Sequence, residues 1–268
     1  MIVTNIIGGL GNQLFQYAIG KALALKNNTE LKIDIRGFNG YFRTFLLDKF
    51  NIRLDIASEK EIQACRVIQE KQSFIHDPEV LSSGDNVYLQ GYWQSDKYFK
   101  DVEDIIRREL KPILIEDPGM SYVEAPKSTD SSKFGKCTYV AIHYRRTDYL
   151  NIADVAGVCS EEYYQRAKAY IYRYTKMPPI FLYFSDDSNW LLENKKEFDK
   201  DGYIVNTGDP LKDLKQMIEC DHHIIANSTF SWWGAWLNNK DDKIVIAPRK
   251  WHRRLPTPNI YPEKWKVM

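Results

Sequence analysis

From Thr138 onward the chain alternates short apolar, β-branched runs with amphipathic runs, and this alternation restricts its fold more than any other feature. Thr138–His143, Ile180–Ser185, Tyr203–Asn206, His223–Ala226 and Lys243–Ala247 read as strands. Ser160–Lys176, Asn189–Glu197, Asp209–Glu219 and Ser231–Asn238 read as the helices between them. Strand and helix in turn specify a parallel, doubly wound α/β sheet. The N-terminus opens the same way, with a strand over Ile2–Ile7, a glycine turn over Gly8–Gln13, a helix over Leu14–Leu25 and a strand over Leu31–Ile35. Ser58–Ile68 reads as a helix with Glu61 in capping-box position. Asn86–Ser95 reads as a strand ending in aromatic and amide residues, and Asp96–Leu110 as a helix closed by Pro112. Glu116–Lys136, with Pro118, Gly119 and Pro126, has the composition of an inter-domain connection. The expected division is residues 1–125 and 126–268, two small Rossmann-like domains facing each other across a cleft.

The residues at the strand ends carry the chemistry. His143-Tyr-Arg-Arg-Thr-Asp148 lies at or beyond the carboxyl end of its strand, the edge where open α/β sheets bind ligands. Neighbouring side chains on a strand point to opposite faces, so one arginine can reach a ligand while the other pairs internally, with Asp148 as the obvious partner. The guanidinium fork suits phosphate, so either Arg145 or Arg146 is expected to clamp a phosphorylated donor. Asp186 and Asp187 follow the next strand; one is expected to accept hydrogen bonds from a base and the other to cap a helix. Asn227-Ser-Thr-Phe-Ser231 begins another helix and offers N–H groups and hydroxyls to phosphate, with Ser228, Thr229 and Ser231 as holders and Phe230 among them.

The first turn, Gly8-Gly-Leu-Gly-Asn-Gln13, points backbone N–H groups at an anion, and Asn12 and Gln13 can hydrogen-bond a sugar or phosphate. It is not a dinucleotide fingerprint: after Gly9 and Gly11 the third glycine position is Leu14, even though Asp34 mimics a ribose-binding acid. Tyr92, Trp93 and Gln94 suit a sugar ring by stacking and hydrogen bonding, although aromatics in such a place are commonly core.

With 44% hydrophobic residues, 27% charged residues and a net charge of +1, the composition is that of a soluble globular protein without the basic face of a nucleic-acid binder. Four scattered cysteines without a C-x-x-C pair point to a reducing compartment and away from zinc or disulfide frameworks. The apolar start lacks a basic n-region, and no run reaches the roughly 20 apolar residues of a membrane span, so a cytoplasmic location is expected.

Taken together, Gly8-Gly-Leu-Gly-Asn-Gln-Leu-Phe-Gln-Tyr17, Gly91-Tyr-Trp-Gln-Ser95 and His143-Tyr-Arg-Arg-Thr-Asp148 resemble the α-1,2-fucosyltransferases of glycosyltransferase family 11. Val158-Cys-Ser-Glu-Glu-Tyr-Tyr164, Phe184-Ser-Asp-Asp187 and Asn227-Ser-Thr-Phe-Ser-Trp-Trp-Gly234 extend the likeness in the family's order. The resemblance implies a GT-B-like fold with an acceptor-side N-terminal domain and a donor-side C-terminal one. It implies GDP-fucose as donor, a terminal galactoside of an oligosaccharide as acceptor, inversion at the anomeric carbon, and no metal or other cofactor. It places the protein in polysaccharide or O-antigen biosynthesis, with peripheral membrane association if the acceptor is lipid-linked.

By the same resemblance Arg145 stabilises the departing phosphate, Gly9 and Gly11 bring backbone close to the sugar, and Asn12 lies beside it. His143 and Arg146 join the donor site. The general base is open among Asp148, Asp154 and His143, with water-assisted deprotonation as the alternative. Thr147 stands where the family has glycine and matches the α-1,6 relatives, which keeps α-1,6 or α-1,3 linkage as alternatives. A non-catalytic carbohydrate-binding protein is the competing class.

Overall fold

The computed structural model describes residues 1–112, 137–198 and 200–268. The chain forms two compact units: Met1–Ile113 with Pro256–Glu263, and Leu114–Leu255 with Lys264–Met268. The expected connection over Glu116–Lys136, and with it the 125/126 boundary, lies outside the described residues.

In the first unit, β1 (Ile2–Asn5), β2 (Leu31–Asp34), β3 (Arg66–Gln69) and β4 (Val87–Gln90) make a parallel sheet in the order β2-β1-β4-β3. Helix α1 (Leu10–Lys26) starts four residues before the expected position, so Gly11, Asn12 and Gln13 form its first turn. The turn is made possible by Gly8 at φ +82°, a conformation that disfavours any side chain. The helix is apolar nearly all round; Leu14, Phe15, Ala18, Ile19 and Leu23 are buried, which is the pattern of a helix enclosed by its neighbours.

Ser58 forms the expected capping box with Glu61, but α2 runs only over Glu59–Gln63 and the chain then enters β3 instead of continuing as helix to Ile68. The strand over Asn86–Ser95 stops at Gln90. The helix over Asp96–Leu110 breaks into turns at Asp96–Tyr98 and Lys100–Val102 before α3 (Glu103–Glu109). The break sits at Phe99, whose backbone (φ −132°, ψ 18°) is not helical and whose ring packs 6.2 Å from Phe15.

The second unit contains β5 (Thr138–Tyr144), α4 (Glu161–Tyr174), β6 (Pro179–Ser185), α5 (Ser188–Glu193), α6 (Lys195–Phe198) and β7 (Gly202–Ile204). It continues with α7 (Pro210–Glu219), β8 (His222–Ile224), α8 (Thr229–Leu237), β9 (Val245–Ala247) and β10 (Lys266–Val267). All six strands are parallel, in the order β10-β9-β8-β5-β6-β7. Numbered from β5 this is 3-2-1-4-5-6, the doubly wound order, with its topological switch point between β5 and β8. The core lies on one face among Val140, Ile142, Phe181, Tyr183 and Ile171 of α4, and on the other among Ala141, Leu182, Phe184 and Met217 of α7. Among the described residues no helix is long and apolar enough to cross a membrane.

Candidate active site

Switch points are where the loops after two adjacent strands diverge to opposite faces and leave a crevice. In the second unit the loops after β5, β6 and β8, three adjacent strands, carry the sequence-predicted residues. Arg145 leaves β5 with its side chain only 15% exposed. Its Nη2 donates to Asp148 at 2.5 Å, its Nη1 pairs with Asp186 at 2.9 Å, and the guanidinium lies 4.7 Å from the Tyr149 ring. Three contacts hold the fork, while Nε is buried and makes no hydrogen bond. Arg146 faces elsewhere: it stacks 4.0 Å over Trp190 and pairs with Asp187 at 3.3 Å. Both arginines lie beyond the end of β5, and both have carboxylate partners: Asp148 and Asp186 for Arg145, Asp187 for Arg146.

Asp186 and Asp187 divide the work. Asp186 accepts from the Arg146 backbone N–H at 2.8 Å and from the Thr147 hydroxyl in addition to pairing with Arg145. Asp187 caps α5 by accepting from the Trp190 N–H at 3.0 Å. Thr147 thus ties the arginine loop to the β6 loop.

His143 is 4% exposed, its Nδ1 has no partner, and its ring lies 5.9 Å from Phe230 in the first turn of α8. Burial pushes its pKa down to about 4; nearby Asp186 opposes that shift and Arg145 reinforces it. His143 is therefore neutral at pH 7. Because its folded pKa lies below the unfolded value of about 6.5, its contribution to stability is complete above pH 6.5 and is lost as the pH falls toward 4. We expect His143→Gln to remove about 3 kcal/mol of that pH dependence. Chemical denaturation of both proteins at steps from pH 4 to 7 checks this; parallel curves would refute it.

Asn227 is a staple: its amide donates to the carbonyls of Trp251 (3.1 Å) and Val155 (3.4 Å), and its Oδ1 faces the Cys159 thiol at 3.5 Å. Ser228 is the N-cap residue of α8 without a side-chain capping bond, Thr229 and Phe230 open the helix, and the Ser231 hydroxyl donates to the Ser228 carbonyl at 3.2 Å. Asp154 belongs to the loop that Asn227 fastens; it pairs with Arg254 at 2.9 Å and its carbonyl accepts from the Arg253 N–H at 2.7 Å. None of its hydrogen bonds or ion pairs described here joins it to Arg145 or His143.

Sequence reasoning missed the residues that fix this edge. Tyr164 donates to the His143 carbonyl at 2.8 Å, and Tyr163 to those of Ile225 (2.7 Å) and Ile246 (3.1 Å), so two tyrosines of α4 pin three strands. The adjacent pair Tyr163-Tyr164 was visible in the sequence, but its partners were not.

In the first unit the equivalent switch point lies between β1 and β4. Gly9 is the N-cap residue of α1, and space around it is open, with no neighbouring atom within 4 Å of where a Cβ would stand. Asn12 accepts from Gln94 at 2.9 Å. Gln13 is fully buried; its Nε2 donates to the Gly8 (3.0 Å) and Thr44 (2.8 Å) carbonyls and its Oε1 accepts from the Leu46 N–H (3.0 Å). Asp34 forms a two-pronged pair with Arg36 and accepts from Tyr88. Burial pushes its pKa up, but these donors outweigh it and hold the carboxyl low.

Two parallel-sheet units, one with a carboxylate-held arginine and a hydroxyl-bearing helix start at its switch point, make up a GT-B-like fold. The NodZ α-1,6-fucosyltransferase co-crystallized with GDP shares the fold, with a TM-score of 0.51 at 12% identity over 87% of this chain and 90% of that one. The chain belongs to glycosyl transferase family 11, whose profile matches residues 1–267. It is 32% identical to an α-1,2-colitosyltransferase of Escherichia coli, over 99% of this chain and 98% of that protein. It is 31% identical to the O-antigen biosynthesis glycosyltransferase WbnK of Escherichia coli, over 91% and 92% of the two chains. It is 28% identical to galactoside α-(1,2)-fucosyltransferase 1 of Rattus norvegicus, over 87% of this chain and 62% of that one.

Proposed function

We propose that this glycosyltransferase moves L-fucose from GDP-fucose to the 2-hydroxyl of a terminal galactose in an oligosaccharide, with inversion and without a metal ion. The observation that carries the reading is Arg145, gripped by Asp148 and Asp186 at the switch point with its Nε donor buried and unpartnered. A buried guanidinium N–H without an acceptor costs about 1–3 kcal/mol or more, and a phosphate oxygen is the acceptor that the fork suits. In the reaction the bond between the fucosyl anomeric carbon and the β-phosphate oxygen breaks, and its electron pair leaves with GDP. The acceptor oxygen bonds to that carbon from the opposite face and gives up its proton. Arg145 neutralises the charge growing on the β-phosphate, a task a metal ion performs in other transferases. The hydroxyls and N–H groups at Ser228–Ser231 hold the diphosphate, and Asp186 or Asp187 receives the guanine. The proton passes to Asp148 or to water. His143, with its pKa near 4, is a weak base at neutral pH.

A second reading has its own support. The similarity to a colitosyltransferase extends over nearly the whole of both chains, and colitose is L-fucose without its 3-hydroxyl. The deciding experiment measures GDP release from GDP-fucose and from GDP-colitose in EDTA. Lactose, N-acetyllactosamine or a galactosyl-β-1,3-N-acetylhexosamine serves as acceptor, and NMR reads the product linkage. We expect acceptor-dependent release from GDP-fucose and a 1→2 bond to galactose. Turnover of GDP-colitose alone would move the assignment to colitose; loss of turnover in EDTA, restored by a divalent ion, would refute the metal-free mechanism.

A further inference from the structure

Helix α1 acts as a clasp for the carboxyl edge of the first sheet. Gln16, fully buried, accepts from the Ile7 N–H and donates to the Gly91 carbonyl, both at 3.0 Å, and so fastens the loops after β1 and β4 to each other. Gln13 fastens residues 44–46, beyond β2, to the Gly8 turn. Three loops are thereby assembled around the β1/β4 switch point by two amides that have little else to do.

What they display is unusual for a surface. Gly91 has no room for a side chain, since a Cβ would stand 2.4 Å from Glu70 Cβ. Glu70 accepts from the N–H groups of Tyr92 (2.8 Å) and Trp93 (3.1 Å). Trp93 is held at φ +56°, a conformation costing of order 1–3 kcal/mol in a bulky residue. The kink sends Trp93 into the core and leaves Tyr92 37% exposed. Beyond β2, Tyr41 is 41% and Phe42 74% exposed, their rings 4.7 Å apart. The loops that carry Tyr41 and Tyr92 meet at the start of α1, the first through Gln13 bonded to Thr44 and Leu46 and the second through Gln16 bonded to Gly91; burial, and then the Tyr41 phenol, raise the Tyr92 pKa. Gln94, 7% exposed and bonded to Asn12, has an Oε1 without a partner.

We propose that Tyr41, Phe42 and Tyr92 form a platform for one pyranose ring of the acceptor, with the Asn12–Gln94 amide pair at its inner end. The proposal rests on the transferase reading above. Exposed rings stack on the C–H face of a sugar, and amides pair with its hydroxyls. At this edge Arg36 is tied to Asp34, the Glu70 carboxylate accepts from two backbone N–H groups, and the Arg43 guanidinium lies 4.9 Å over one face of the Phe42 ring, leaving the other face for a sugar. Aromatic faces beside an amide pair suit a sugar ring.

The test uses saturation-transfer NMR on the full chain with methyl β-galactoside and lactose, beside acceptor and donor KM values, for Tyr92→Ala, Tyr92→Phe and Phe42→Ala. Loss of transfer and a rise of about tenfold in acceptor KM are expected for both alanine variants, with donor KM near wild type and Tyr92→Phe close to wild type. Phe42 is so exposed that its variant folds whatever Tyr92→Ala does. Wild-type sugar binding and acceptor KM retained in folded Phe42→Ala and Tyr92→Ala would overturn the platform. So would sedimentation with anionic vesicles, abolished by Phe42→Ala, in a protein that shows no sugar signal. Absence of turnover with sugar binding intact would instead strike the transferase reading and leave the platform standing.

Discussion

If Arg145 acts as proposed, replacing it with alanine is expected to lower kcat by roughly 10²–10³, equivalent to ~3–4 kcal/mol of transition-state stabilisation. The loss should fall mainly on kcat, because in the proposed reaction the charge that Arg145 meets grows as the phosphate departs. Arg145→Lys retains the positive charge but not the two-pronged fork that Asp148 and Asp186 hold. It should recover only part of the rate, whereas a purely structural arginine would be rescued fully. Steady-state kinetics with both variants, alongside thermal melts to verify folding, make the comparison. An alanine variant within tenfold of wild type would remove Arg145 from the chemistry and turn attention to Arg146, which would have to leave its stack on Trp190.

Gln13→Ala destabilises the protein by roughly 2–4 kcal/mol, because two carbonyls and one N–H, at Gly8, Thr44 and Leu46, lose buried partners together. For a chain of this size that is a fall of several degrees in melting temperature. Gln13→Glu keeps an acceptor for Leu46 but no donor for the two carbonyls, so it should be little better. Calorimetry on the two variants decides; a melting point within one degree of wild type for Gln13→Ala would show that water replaces the amide at no cost.

Gln13 also illustrates where sequence reading stops. Its residue type suggested a ligand contact, and nothing in the sequence indicates that the Gly8 carbonyl and backbone groups at Thr44 and Leu46, more than thirty positions away, consume the whole side chain. The alternation after Thr138 was legible because its central strands, β5 and β6 above all, are buried on both faces and read as nearly continuous apolar runs, whereas the exposed two-residue β10 gave no such signal. β3 was not legible: it is an edge strand with Arg66, Val67 and Gln69 exposed, so no face of it carries a pattern. The Ser58 capping box marked a helix start correctly but has no bearing on helix length. At the site, the arginine, carboxylate and hydroxyl segments were each visible as strand-end clusters. Their pairing was not, because Thr147, Tyr149 and Trp190 act through packing that only the assembled sheet creates.

The route of the last thirteen residues limits how such a protein can vary. After Leu255 the chain returns to the first unit for Pro256–Glu263, where Ile260 is fully buried and Asn259 accepts from the His76 N–H at 3.0 Å. It then goes back to add β10 and Trp265, whose ring lies 5.4 Å from Trp232, to the second. The backbone therefore passes between the units three times, and no single cut separates them. A recombination event that exchanged the second unit for another by one crossover would carry away part of the first unit's core with it. New binding preferences are thus expected to arise by substitution within loops, such as the proposed platform at 36–46 and 91–95, rather than by shuffling of halves.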